Sequence, residues 1–240
     1  MPRKPIIGVT LDWQEKGDFS PHPHFILREH YFDAISDAGG LPVGVSYCDN
    51  NITDYVEALD GLLCPGGTIA SPADWYQNPK EKMTYAPSPR TSFELNLIKK
   101  MLQSGKPVLG ICQGMQFLGG LFGAKMTADL RAYYDCQRDY WNGTPLDQEA
   151  FEVELSQGSL LKKILGGREK LAVNAHHQEA LVELGKDVLL SAKSPDGVVQ
   201  AIEIRGYDFA LGVQWHPEFF RQKNSPHHLI FKAFIGQASQ

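Results

Sequence analysis

The chain has 240 residues, 42% of them hydrophobic, and a formal net charge of −5, enough apolar material to bury the core of one large domain. Its basic residues form no run or stripe, which argues against nucleic acid or an anionic membrane surface as a partner. No segment approaches the ~20 apolar residues that span a bilayer, and the four cysteines (Cys48, Cys64, Cys112, Cys136) follow neither a disulfide framework nor a CxxC pattern, so the expectation is one cytoplasmic domain over residues 1–240 with reduced thiols.

In chain order, "PIIGVTL" reads as a strand and "FILREHYFDAISDAGG" as an amphipathic helix closed by Gly39 and Gly40. "LPVGVSY" is a strand, "ITDYVEALD" a helix, "GLLCPGG" a strand and turn, "TSFELNLIKKMLQSG" a helix and "KPVLGI" a strand. Repeated β-α alternation predicts a parallel sheet with helices on both faces. The stretch "MTADLRAYYDCQRDYWNGTPLDQEA" is aromatic and polar without periodicity, and is expected to be a long loop forming a wall of a site. From about residue 150 the strands become shorter and closer: "FEVEL", "EKLAV", "VLLSAK" and "VVQAIEI", the last two joined by the turn "SPDG", which predicts an antiparallel section. The strand "FALGVQ" runs into "WHPE", and "SPHHLIFKAFIGQ" closes the chain as a helix with Pro226 in its first turn.

Three of these junctions carry chemistry. In "GICQGMQ" a cysteine lies between two glycines where a strand gives way to a helix, the spacing of a nucleophile elbow with sulfur in place of a hydroxyl. Cys112 would then sit at a helix N-terminus, where the positive end of the dipole favours a thiolate. In "GVQWHPE", His216 is the candidate base, and Glu218, two residues on in an extended segment, is expected on the same side to orient it. In "CPGGT" the glycines let backbone N–H groups converge, so the N–H of Gly67 and that of Gln113, next after the cysteine, are candidate oxyanion donors. Cys48, Cys64 and Cys136 lack the flanking glycines and are read as packing residues. His22 and His24, and the adjacent His227 and His228, come with no pattern of further ligands, so no metal site is expected.

Together, "CPGG", "GICQGMQ" and "GVQWHPE", in this order and each after a strand, resemble the class I glutamine amidotransferase superfamily over nearly the whole chain. The resemblance implies an α/β, flavodoxin-like, mostly parallel sheet flanked by helices with an antiparallel C-terminal section. It also implies a triad of Cys112, His216 and Glu218 acting on γ-glutamyl amides without a cofactor, and Gln116 as a contact for the glutamyl group. The stretches "HYFDAISDAGGLPVGV", "VNAHHQEALVELG" and "SPDGVVQAIE" are similar to the peptidase C26 group, whose members stand alone without a synthase domain. That likeness implies hydrolysis of γ-glutamyl-γ-aminobutyrate or a related γ-glutamyl amine through a thioester, and it favours His177 over His176 in substrate binding. The chain departs from the group in having Gln113 where Arg is usual, Arg90-Thr91 for Arg-Asp, and a segment from Val173 to Gln178 that is one residue short, which points to an altered pocket around an intact triad. The stretch from Arg131 to Trp141, with Trp75 and Tyr76, is expected to form an apolar wall for an amine carrying a carbon chain. Two other readings stay open: a glutaminase subunit passing ammonia to a separate synthase, and a non-enzymatic cysteine redox sensor. The expected partner is a small γ-glutamyl substrate; homo-oligomerisation is left open.

Overall fold

The computed structural model describes residues 3–67, 71–77, 89–141, 143–223 and 225–240; Thr68, the last residue of "CPGGT", and Asn142 lie outside the described residues. Strand β1 (Ile6–Thr10) leads into a hairpin of β2 (Asp12–Gln14) and β3 (His24–Ile26), paired from Asp12 with Ile26 to Gln14 with His24. Phe25 and Ile26, expected in the first helix, therefore belong to a strand. Pairing with β2 and the edge contact of the Phe25 ring on Tyr47, at 5.0 Å, take this segment before a helix can form. Helix α1 (Glu29–Ala38) begins only after the extended Arg28 and buries Tyr31, Ala34, Ile35 and Ala38, the i, i+3, i+4, i+7 stripe. It stops at Gly39, whose φ of 103° is left-handed and returns the Gly39 and Gly40 N–H groups to the carbonyls of Ser36 and Ile35.

The β-α alternation then continues as expected, through β4 (Leu41–Val45), α2 (Ile52–Ala58), β5 (Gly61–Cys64), α3 (Pro89–Gln103), β6 (Val108–Ile111) and α4 (Gln113–Leu121). The stretch expected as one irregular loop instead holds β7 (Lys125–Thr127) and the short helix α5 (Leu130–Tyr134), whose N-cap Asp129 accepts the Ala132 N–H. Its missing periodicity reflects the brevity of these elements: β7 is three residues long and gains its ladder from a strand more than fifty residues away. The remaining elements are β8 (Phe151–Leu155), α6 (Leu160–Ile164), β9 (Lys170–Val173), β10 (Ala180–Glu183), which pairs with β7, β11 (Val188–Lys193), β12 (Val199–Ile204), β13 (Ala210–Val213) and α7 (Pro226–Ala238), capped by Ser225.

Nine strands form one sheet in the order β4-β1-β5-β6-β13-β12-β11-β8-β9. The first five run parallel and the rest antiparallel. Alternate side chains of the central strands enter opposite cores, Leu63, Leu109 and Leu211 beneath α1, α6 and α7, and Leu62, Val108 and Ala210 beneath α2, α3 and α4. Burial on both faces explains why these strands read as unbroken apolar runs. The three chemical motifs follow β5, β6 and β13, which are adjacent, so the carboxyl ends of neighbouring parallel strands bring them together. No described helix is long and apolar enough to cross a membrane.

Candidate active site

Cys112 occupies the step between β6 and α4 with φ 54° and ψ −107°, a conformation that L residues rarely adopt. Its flanking glycines have a steric reason. A Cβ on Gly110 would lie 2.5 Å from the backbone of Gly114, and one on Gly114 only 2.0 Å from the carbonyl oxygen of Cys64. The end of β6, the first turn of α4 and the end of β5 thus touch backbone to backbone, which only glycine permits. The Cys112 N–H donates to Val213 O at 2.8 Å, tying the elbow to β13. Its sulfur accepts from Gln214 Nε2 at 3.6 Å and lies 4.0 Å from the carbonyl of His176.

His216 is buried beyond the end of β13, and Asn174 grips its backbone on both sides: the His216 N–H donates to Oδ1 at 2.8 Å, and Nδ2 donates to the His216 carbonyl at 2.9 Å. Its Nδ1 lies 2.7 Å from Oε1 of the fully buried Glu218. The contact forms as the sequence suggests but by a different route. Residues 217–219 make a 3₁₀ turn with Pro217 in its first position, so the carboxylate folds back onto the ring instead of sharing one side of an extended segment. Burial disfavours a charged imidazole, yet the Glu218 carboxylate, together with the Cys112 sulfur, outweighs it and lifts His216 to about 10. Nε2 has no hydrogen-bond partner among the described residues, and His216 lines the same cavity as Cys112, which leaves that nitrogen available for proton exchange.

The turn after β5 packs over both groups. A Cβ on Gly66 would lie 3.0 Å from His216 Cε1 and 3.2 Å from Cys112 Cβ. The Gly66 N–H donates to the Tyr31 hydroxyl at 3.2 Å, and that hydroxyl is 3.5 Å from His216 Nδ1. Burial, reinforced by Glu218, pushes the Tyr31 hydroxyl far above its ordinary range, so it stays neutral beside the imidazole. Gly67 and Gln113, the expected oxyanion donors, both line the cavity. Arg90, in the first turn of α3, buttresses the turn from behind: Nη2 donates to Pro65 O at 2.6 Å, Nη1 to Gly66 O at 3.4 Å, and Nε to Glu94 at 2.5 Å. Burial opposes its charge, but Glu94 outweighs that effect and holds the guanidinium protonated.

These residues border a cavity of about 350 Å³. Gln116 and His177 line it as expected, and so does His176, whose ring stacks on Trp141 at 4.0 Å. Gln116 Nε2 donates to the carbonyl of Glu179 and to Gln214 Oε1, each at 3.4 Å. The expected aromatic wall forms only in part here: of the stretch from Arg131 to Trp141 only Trp141 lines this cavity, Arg131, Arg138 and Tyr140 line a second one that shares Trp141 and His177 with it, and Tyr140 turns its hydroxyl to Ser194 and Asp196. Trp75 lies elsewhere, over Gly120 and 6.3 Å from Phe117 on α4, because Gly120 leaves a bare backbone for the indole to cover. Ile26, at the end of β3, and Leu27 after it supply apolar wall in their place.

Four contributors escape a reading by motif. Tyr31 looks like any apolar position of a helix stripe, and Arg90 is marked only by the likeness of Arg90-Thr91 to the Arg-Asp of the similar group. Asn174 and Glu179 stand inside "VNAHHQEA", where only the likeness to known proteins drew attention. Away from the site, Cys64 and Cys136 are buried, and burial pushes both thiols up. His227 stacks on Phe220 and accepts from Trp215 Nε1. Among the described residues no three His, Cys, Asp or Glu side chains group as a metal site would require.

A profile described as peptidase C26 matches residues 5–218. Protein NtpR of Enterococcus hirae is 32% identical, over 96% of this chain and 98% of that protein. The γ-glutamyl-γ-aminobutyrate hydrolase of Escherichia coli K12 is 27% identical, over 96% of this chain and 92% of that protein. Among solved structures, the glutaminase domain of Trypanosoma brucei CTPS with bound acivicin superposes with a TM-score of 0.62 at 14% identity, covering 97% of this chain and 94% of that one. That last likeness bears on the fold alone, and it agrees with the large mixed sheet with a parallel core found here. With the profile spanning most of the chain, the protein belongs to the peptidase C26 family and is a glutamine-amidotransferase-like hydrolase.

Proposed function

We propose that the protein hydrolyses γ-glutamyl amides through a thioester on Cys112, with His216 as acid and base and Glu218 as its orienter. The observation that carries this reading is the convergence of a strained cysteine at a strand-to-helix elbow with an imidazole whose far nitrogen is bonded to a buried carboxylate. With His216 holding the cysteine's proton at Nε2, the sulfur attacks the γ-carbonyl carbon. The N–H groups of Gly67 and Gln113 receive the oxyanion. On collapse the C–N bond breaks and His216 returns the proton to the departing amine. Water, deprotonated by His216, then cleaves the thioester to release glutamate and regenerate the thiol.

Glu218→Gln keeps the shape but removes the charge behind the imidazole. We expect kcat to fall about 10–100-fold, less than the loss on removing Cys112. The sign of the pH effect follows from the raised His216: imidazolium is lost as pH rises through about 10, so without Glu218 the alkaline limb of kcat must move to lower pH. A pH–rate profile of the variant that kept the wild-type limb would remove Glu218 from this role.

Substrate choice gives the direct test. Ile26, Leu27 and Trp141 make an apolar wall that free glutamine, which releases only ammonia, does not need. A γ-glutamylated aliphatic amine or amino acid, such as γ-glutamyl-γ-aminobutyrate, is therefore expected to show a higher kcat/KM than glutamine in competition assays. Glutamine winning clearly would replace this reading with that of a glutaminase subunit.

A further inference from the structure

Two of the residues that line the cavity carry a buried acceptor with no partner among the described residues. Glu179 is 1% exposed; its Oε1 accepts from the Tyr76 hydroxyl at 2.7 Å, while Oε2 has no partner among the described residues. His177 is 3% exposed, and its Nε2 is likewise unpartnered. The tautomer of His177 follows from its other nitrogen. Nδ1 lies 3.0 Å from the carbonyl of Glu179, which can only accept, so Nδ1 carries the proton and Nε2 a bare lone pair. Burial lowers His177 to about 4, which keeps the ring neutral at physiological pH and preserves that lone pair. Leaving such groups unpaired is destabilising, and both residues line the cavity.

Their position along the cavity is fixed by the backbone that carries them. The segment from His176 to Glu179 starts 4.0 Å from the Cys112 sulfur, at the His176 carbonyl, and ends at the Glu179 carbonyl that accepts from Gln116 Nε2. Glu179 thus stands at the end where Gln116, one helical turn beyond Cys112, meets the acyl half of a substrate under the reading above. A γ-glutamyl group attached at Cys112 extends four bonds from its carbonyl carbon to an α-ammonium with three N–H donors.

Building on the proposed γ-glutamyl chemistry, we propose that Glu179, with His177 Nε2 beside it, is the receptor for the α-ammonium of the γ-glutamyl group, and so sets the preference for glutamyl over plain glutaryl amides. Burial pushes the Glu179 carboxyl up to about 7, and an arriving ammonium would favour its ionised form. The arrangement discriminates strongly because an analogue without the amine leaves both acceptors unpaired.

The test compares γ-glutamyl-γ-aminobutyrate with glutaryl-γ-aminobutyrate, which differ only in the α-amine, in wild type and in the isosteric Glu179→Gln. Wild type is expected to favour the γ-glutamyl compound by about 100-fold or more in kcat/KM, and the variant to cut that preference at least ~30-fold, mainly through KM. An unchanged preference overturns the inference. A third substrate, γ-glutamyl-1,4-diaminobutane, carries an ammonium on the leaving side; a Glu179→Gln defect confined to it also overturns the inference, because the carboxyl would then read the amine. Hydrolysis of none of the three by wild type would refute the reaction proposed above. The binding site is then tested without turnover, by the rise in melting temperature that glutamate gives over glutarate in Cys112→Ala: its loss on adding Glu179→Gln supports the receptor, and its persistence or absence from the start overturns it.

Discussion

Cys112→Ala is expected to abolish hydrolysis, with kcat falling about 10⁴-fold or more, because no other group at the elbow can form the thioester. The fold should survive, since alanine retains the Cβ already accommodated there. Cys112→Gly should be equally inactive but more stable. The backbone at φ 54° and ψ −107° is strained for any residue with a Cβ, at a cost of about 1–3 kcal/mol, and glycine relieves it while losing roughly 0.5–1 kcal/mol through the flexibility of its unfolded chain. The net gain of about 1 kcal/mol corresponds to a rise of about 2–4 °C in Tm for a chain of this size. Thermal unfolding of the three proteins checks it: a glycine variant melting below wild type would mean that the elbow stores no strain. Residual activity of Cys112→Ala within a few-fold of wild type would remove the cysteine from the chemistry.

The second large effect is expected at Arg90. Its guanidinium bonds the carbonyls of Pro65 and Gly66 and the carboxylate of Glu94, which also accepts from the Thr10 hydroxyl at 2.5 Å. Arg90→Met leaves a buried carboxylate without its counter-charge and unties the turn that carries Gly67. Breaking a buried pair by removing one member costs about 3–5 kcal/mol, so Arg90→Met should melt far below wild type and lose most activity. The double variant Arg90→Met with Glu94→Leu separates the two consequences. Removing both charges restores much of the stability, because an apolar pair of similar volume needs no desolvation. Activity should stay low, since Pro65 and Gly66 still lack the donors that hold the turn over His216 and Cys112. Recovery of kcat together with Tm would show that the turn keeps its position without the arginine.

Short-range sterics explain what could be read from the chain alone. Apolar runs of four or five residues alternating with amphipathic helices dictate a parallel sheet buried on both faces, and they do so locally. The elbow is local in part: Gly110 leaves room for the backbone of Gly114 four residues on, whereas Gly114 leaves room for the Cys64 carbonyl of β5, and no residue with a Cβ fits at either place. The C-terminal hairpin announced itself through "SPDG", the turn between β11 and β12. Residues 126–150, by contrast, carried no readable pattern, since β7 depends on its pairing with β10 and on a bridge from Tyr76 to Met126, both far away in the chain.

The sequence by itself therefore determined the parallel core of the sheet and the strand-to-helix step at Cys112, and it singled out Cys112, His216 and Glu218 as candidates, because apolar periodicity, flanking glycines and short spacings are legible in single stretches of chain. Only the tertiary structure decided how they are tuned. It set the 3₁₀ turn that swings Glu218 onto His216, the Tyr31 hydroxyl between Gly66 and the imidazole, the Arg90 wedge behind the turn, and the unpaired oxygen of Glu179. Those features depend on desolvation and on contacts between segments far apart in the chain, and such sums are fixed by packing, which no short stretch of sequence contains.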